Sequence, residues 1–205
     1  MEIAKLTADN FDETVNHTIE ILRQGGVVVC PTDTVYGLIA DAGNKKAVKK
    51  IFKIKNRPKT KPLAVFVRDM EMAKELAIID EKNEKFLKKN TPGKITVILK
   101  KRPDCGFLSP VGDKTTIGIR IIKNKFINEL LGKLGKPLAQ TSANISGQPA
   151  TIKIGEVLKY WGVRHPNKLR DKGMDLDLVV DAGDLPKSRP SKVVDLTGKP
   201  LTTIR

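Results

Sequence analysis

Three groups of side chains in this sequence could hold an anionic small molecule and stabilise charge on it. The first is Thr32, Asp33, Thr34 and Tyr36, four hydroxyl or carboxylate groups within five positions, followed by Gly37. The second is the set of cations Lys55, Arg57 and Lys61 in Lys55-Asn56-Arg57-Pro58-Lys59-Thr60-Lys61-Pro62. Pro58 disfavours helix at Arg57, so these three are expected to project from a stiff, proline-bracketed loop. Arginine offers phosphate a forked contact and lysine a point charge, which makes the loop a candidate phosphate clamp. A basic loop that only aids solubility is the competing reading. The third group is Thr141-Ser142-Ala143-Asn144-Ile145-Ser146-Gly147, a run of small hydroxyl and amide side chains that ordinary turns also use. Arg120 stands apart, in a segment of strict alternation. Ile117, Ile119 and Ile121 face one way, and Arg120 faces the other with Thr116 and Gly118. That arginine lies on a solvated face or points into a cleft, and Gly118 leaves room for a ligand there.

These groups need a scaffold, and the flanking periodicities supply one. Val27-Val28-Val29-Cys30 is a short apolar run expected to form a buried strand, which Pro31 ends for want of an N–H. Polar residues at the carboxyl end of such a strand sit where open α/β sheets bind ligands. The layout repeats at 138–147, where Leu138-Ala139-Gln140 leads into the third group. Phe11, Val15, Ile19 and Leu22 mark a helix over 10–24, with Asn10 and Glu13 as a capping box and Gly25-Gly26 as its stop. Asn44 caps a second helix to about Ile54. Strands are expected at 63–67, 95–99, 116–122, 178–183, 192–196 and 201–204. Asp69 and Asp80 should cap further helices, 126–134 is an amphipathic helix, and another helix starts at Lys153 in the segment 153–174. Within that segment the helix is followed by a basic stretch with Arg164, Lys168, Arg170 and Lys172. Tyr160 and Trp161 beside them could stack on bases or simply pack.

Composition narrows the function classes. A net charge of +15 over 205 residues attracts polyanions such as nucleic acid, nucleotides or anionic lipid. No apolar run approaches the length of a membrane span, and no secretory signal is visible, so a cytoplasmic location is expected. Cys30 and Cys105 are far apart, and His17 and His165 lack metal-ligand spacing. No nucleophile–base triad suggests itself.

The motifs together resemble the YrdC-like family, the threonylcarbamoyl-AMP synthases. The resemblance rests on Pro31-Thr32-Asp33-Thr34-Val35-Tyr36-Gly37-Leu38, Lys55-Asn56-Arg57-Pro58, Lys61-Pro62-Leu63 and Gly118-Ile119-Arg120. Further on it rests on Ser142-Ala143-Asn144-Ile145-Ser146-Gly147, Pro190-Ser191-Lys192-Val193-Val194-Asp195 and the closing Ile204-Arg205. It implies a twisted, mostly parallel, mixed open α/β sheet flanked by helices around a basic cavity. It also implies a single domain over 1–205 with no additional C-terminal domain. The implied activity is nucleotidyl transfer. L-Threonine, bicarbonate or CO2 and ATP give L-threonylcarbamoyl-AMP and pyrophosphate. A downstream transferase then modifies adenosine 37 of tRNA.

The resemblance assigns catalysis to Lys55, Arg57, Ser142 and Asn144. It assigns ATP binding to Arg57, Lys61, Thr116, Ser142 and Arg205, and threonine binding to Thr34, Arg120 and Ser191. Thr32 and Tyr36 are further pocket residues, and Mg2+ accompanies ATP. Catalysis would be mostly positioning and charge stabilisation. Four positions depart from the family's pattern: Phe66 stands for a common histidine near the threonine, Ala150 for a serine, Lys192 for a threonine and Ile122 for a proline. A tRNA- or double-stranded-RNA-binding module without the activity, and a nucleotide-binding relative with another substrate, are the alternatives.

Overall fold

A computed structural model describes residues 1–106, 111–161, 176–198 and 202–203. In chain order the elements are β1 (Glu2–Lys5), α1 (Phe11–Arg23), β2 (Val28–Cys30), β3 (Gly37–Asp41), α2 (Lys45–Lys55), β4 (Ala64–Val67), α3 (Met70–Leu76), β5 (Ala77–Ile78) and α4 (Glu81–Asn90). They continue as β6 (Ile95–Lys101), β7 (Thr116–Ile121), α5 (Lys125–Leu134), β8 (Leu138–Ser142), α6 (Ile154–Tyr160), β9 (Leu178–Asp181), β10 (Lys192–Asp195) and β11 (Thr202–Thr203).

Ten of these strands line up as β1-β9-β2-β3-β8-β4-β7-β6-β10-β11, with β5 pairing on β6. The sheet is open and mixed, with helices against it. Parallel ladders join β1 to β9, β2 to β9, β4 to β7 and β6 to β10. Antiparallel ladders join the other neighbours, so parallel pairing is the minority and "mostly parallel" overstated it. The reason is the hairpin of β2 with β3, which reverses the chain where the sequence pattern suggested only a turn.

Alternation along the strands splits the core into two layers. Val28, Cys30, Ile39, Phe66, Leu138 and Leu178 pack beneath α1 and α5. Val29, Leu38, Val65, Val97, Ile117, Ile119 and Ile121 face the opposite way, with α2 and α3. Burial pushes the Cys30 thiol up, out of reach of ordinary thiolate chemistry. The expected alternation over 116–122 therefore holds, with the isoleucines in the core.

The caps divide. The Asn44, Asp69 and Asp80 side chains accept backbone N–H groups at the starts of α2, α3 and α4. The expected capping box at Asn10 does not form. Its oxygen accepts from Thr7 and its amide donates to Lys5, which engages it with the strand–helix connection instead. Asn44→Ala should cost about 1 kcal/mol, read as a lower midpoint in urea unfolding. No helix among the described residues is long and apolar enough to cross a membrane.

Candidate functional site

The antiparallel ladders bring the three chemical groups together. Gly37 pairs with Cys30 across the hairpin and with Ser142 on β8. The loop 31–36 therefore lies beside the end of β8, although the two segments are more than a hundred residues apart. Gly37 serves close approach rather than the bend its position suggested. A Cβ there would come within 3.0 Å of the Thr32 methyl. On the far side, β7 lies beside β4 with Phe66 opposite Arg120, and β10 lies beside β6.

These elements wall a cavity of about 630 Å³. Thr32, Thr34, Arg57, Lys61, Thr116, Arg120, Ser142 and Ser191 all line it. Of its lining side chains, Arg57, Lys61 and Arg120 are cationic and Asp113 is anionic. Thr141, from the third group, and Thr60, from the clamp loop, line it as well. Sequence reasoning missed Thr96, Asp113 and Gln140, whose places depend on strand pairing with distant segments. Gly118 lies on the wall too, and a Cβ there would meet the Ala64 methyl at 3.0 Å.

Arg120 is 3% exposed. Its guanidinium donates to an Asp33 carboxylate oxygen, to Gly93 O (3.3 Å) and to Thr34 Oγ1 (3.4 Å). It also lies 5.7 Å from the centre of the Phe66 ring. Asp33 has one oxygen on Arg120, and its other oxygen is buried without a hydrogen-bond partner among the described residues. Thr34 is further fixed by Thr32, whose hydroxyl donates to Val35 O and meets Thr34 Oγ1 at 3.1 Å. Ser191 Oγ lies 3.1 Å from Thr96 Oγ1, a contact set by the parallel register of β6 and β10. Thr116 donates to Asp113. Arg57 braces its own loop, donating to Lys61 O and Pro62 O.

Two expected site residues, Lys55 and Asn144, sit differently from the sequence reading. Lys55 does not project from the loop. It is the last residue of α2, is buried, and donates to Ser142 O, Asn144 O and Asn144 Oδ1. Burial pulls its ammonium down to about 7, with Arg57 adding to the shift. The three oxygens around it favour the charged form. Asn144 lies behind the wall: its Nδ2 donates to Ile145 O and Gln148 O, and its Oδ1 accepts from Lys55 and Ser142.

Tyr36 lines the cavity with Thr32, and its hydroxyl points away from the motif, donating to Gly183 O (2.6 Å) and accepting from Ala182 N (3.1 Å). Burial raises that phenol to about 12. Tyr36→Phe would strand both backbone groups, costing about 1–3 kcal/mol, visible as a lower urea midpoint with little change in ligand affinity. Arg205 and the basic residues Arg164, Lys168, Arg170 and Lys172 lie outside the described residues. Trp161 packs against the core, edge-on to Tyr160 at 5.9 Å.

The geometry thus defines an open mixed α/β protein with a ligand-sized cavity formed by strand ends and the loops beside them. A family model for Sua5, YciO and YrdC proteins, described as telomere recombination, matches residues 20–205. The chain belongs to this family. It is 36% identical over 205 residues to a putative threonylcarbamoyl-AMP synthase of Methanocaldococcus jannaschii, covering all of this chain and 91% of that protein. It is 38% identical over 149 residues to the threonylcarbamoyl-AMP synthase of Bacillus subtilis, covering 71% of this chain and 42% of that one. P. abyssi Sua5 complexed with L-threonine matches with a TM-score of 0.85 at 28% identity, over all of this chain and 56% of that one. E. coli YciO matches with a TM-score of 0.82 at 28% identity, over all of this chain and 93% of that one. This chain therefore spans about half the length of the Bacillus and Pyrococcus proteins and nearly all of the Methanocaldococcus and YciO ones.

Proposed function

We propose that this chain makes L-threonylcarbamoyl-AMP from L-threonine, bicarbonate or CO2 and ATP, as a cytoplasmic nucleotidyltransferase. One observation carries the reading. Thr34, Arg57, Arg120, Ser142 and Ser191, from five separated segments, meet on one cavity of about 630 Å³. That volume is usual for a small-molecule site. Relatives named for this reaction, and a relative's complex with L-threonine, support the choice of substrate.

The chemistry asks for positioning and charge. Threonine's neutral amine adds to CO2 and loses a proton, giving a carbamate. A carbamate oxygen attacks the α-phosphorus of ATP. The bond to the bridging oxygen breaks, and pyrophosphate leaves with the electron pair. Arg57 and Lys61 sit where they could offset charge on the triphosphate and the departing pyrophosphate. Arg205 would add to them at the chain's end. Mg2+ would enter with ATP and offset part of the charge on its phosphates. Among the described residues no cluster of three or more His, Cys, Asp or Glu is assembled to hold it independently.

Arg120 would take threonine's carboxylate in its fork, sharing it with Asp33, while Thr34 and Ser191 flank the amino acid. Ser142 and Thr116 would face the nucleotide or the carbamate. The product would pass to a transferase acting on tRNA.

Pyrophosphate release with ATP, bicarbonate and threonine tests this, with serine and glycine run beside threonine. Threonine-dependent release is expected. ATP binding with no amino-acid response would sink the reading in favour of a nucleotide-binding relative with another substrate. Salt-sensitive tRNA binding without turnover would sink it in favour of an RNA module, which the +15 charge favours.

A further inference from the structure

Lys55 poses a problem that a phosphate-clamp role does not solve. Its ammonium has three N–H groups. They point at Ser142 O, Asn144 O and Asn144 Oδ1, the last at 3.1 Å. The residue is 1% exposed and does not line the cavity. No donor is left over for a phosphate oxygen. The Lys55 carbonyl meanwhile accepts from Ser146 N at 2.9 Å, so both ends of this residue hold the turn that follows β8.

The hydrogen directions in that turn are determined. Asn144 Nδ2 faces two carbonyl oxygens, Ile145 O at 3.0 Å and Gln148 O, so the amide's nitrogen must be on that side. Its Oδ1 must then face Lys55 and Ser142. A carbonyl oxygen has two lone pairs. Lys55 fills one, and the Ser142 hydroxyl, 2.5 Å away, fills the other. The Ser142 hydrogen is therefore committed to Asn144, and the Ser142 oxygen on the cavity wall offers only lone pairs.

We propose that Lys55 is a positioning residue that, through Asn144, fixes the Ser142 hydroxyl as a hydrogen-bond acceptor for an N–H or O–H group of the bound substrate. This rests on the synthase reading for the identity of the substrates, and deepens it. Threonine's nitrogen, the ribose and the adenine amine all carry such donors. The unprotonated oxygens of pyrophosphate do not. Cutting the tether frees Asn144 Oδ1 from its cation and lets the Ser142 hydrogen rotate into the cavity, where it opposes a donor. A fully satisfied buried network of this kind is lost as a unit rather than bond by bond.

The test uses wild type, Lys55→Met, Ser142→Ala and the double variant. Turnover is read by pyrophosphate release, and binding of Mg-pyrophosphate is read by calorimetry. Lys55→Met is expected to lower kcat at least tenfold. The double variant should fall within about threefold of the worse single. Pyrophosphate affinity should stay within twofold of wild type in all three.

Backbone amide exchange over 143–148 should quicken in Lys55→Met, while exchange in β6 and β7 stays unchanged. A Lys55→Met variant with wild-type kcat would overturn the proposal. So would losses that multiply independently in the double variant, or a tenfold loss of pyrophosphate affinity on removing Lys55. Unchanged exchange over 143–148 would overturn it as well. A wild type without threonine-dependent turnover would sink the synthase reading instead. The exchange and pyrophosphate measurements would still decide the role of Lys55.

Discussion

Arg120→Met is expected to lose about 3–5 kcal/mol of stability, the cost typical of breaking a buried ion pair from one side. The Arg120 and Asp33 side chains are 4% and 10% exposed, so water does not screen the pair. Methionine keeps much of the arginine stem's volume and its contact with Phe66, so a cavity is not the main loss. What changes is Asp33. One of its oxygens is already buried without a hydrogen-bond partner among the described residues, and the other would lose the guanidinium.

Against a total of about 5–15 kcal/mol for a folded domain, this is a large fraction. For a chain of this size it corresponds to a fall in Tm of about 10 °C. Urea unfolding of Arg120→Met measures it. Adding Asp33→Asn to the variant should restore part of the loss, because the stranded charge is then gone. A midpoint equal to wild type in Arg120→Met, or no recovery in the double variant, would show that the pair does not hold this end of the sheet. Where the variant stays folded, KM for threonine should rise about tenfold or more, since charge-assisted hydrogen bonds contribute about 1.5–3 kcal/mol.

That pair also marks the boundary of what the sequence discloses. Arg120 could be placed on a face, because alternation is local: Ile117, Ile119 and Ile121 fix its phase. Asp33 could not be assigned to it, because nothing local links two residues 87 apart. The helices announced by Asn44, Asp69 and Asp80 were legible for the same local reason, as each cap lies within three residues of the N–H it serves.

The missed strands are short or lack alternation. Glu2–Lys5 and Ala77–Ile78 are made by their partners, and Gly37–Asp41 is buried on both faces, so its Leu38-Ile39-Ala40 run carries no period of two. Lys55 is the instructive miss. On α2 the buried positions Val48, Ile51 and Phe52 continue at helical spacing to position 55. The apolar stripe itself therefore predicted an inward side chain there. Its charge argues for solvent, but helical spacing prevails because the fold gives the ammonium three oxygens. Ser191 beside Thr96 depended on a parallel pairing of β6 with β10, which no short-range pattern encodes.

Arg57 should behave in the opposite way to Arg120, with a large effect on turnover and a small one on stability. It is half-buried at the cavity wall, and its bonds to Lys61 O and Pro62 O lie at an exposed site where water can replace them. Arg57→Ala is expected to shift the urea midpoint by less than about 1 kcal/mol, as surface substitutions usually do. If Arg57 meets the triphosphate, kcat/KM for ATP should fall by about tenfold to a hundredfold, the equivalent of about 1.5–3 kcal/mol.

Arg57→Lys is the sharper variant. It keeps the charge but loses the planar fork, which both grips a phosphate bidentately and spans the two loop carbonyls. It should therefore recover only a small part of the loss. The gap between wild type and Arg57→Ala should also narrow as salt rises from about 0.01 to about 1 M, because screening weakens an exposed cation's hold on phosphate. Full activity in Arg57→Lys would mean that charge alone suffices at this position. Full activity in Arg57→Ala would remove the loop 56–62 from the ATP site altogether.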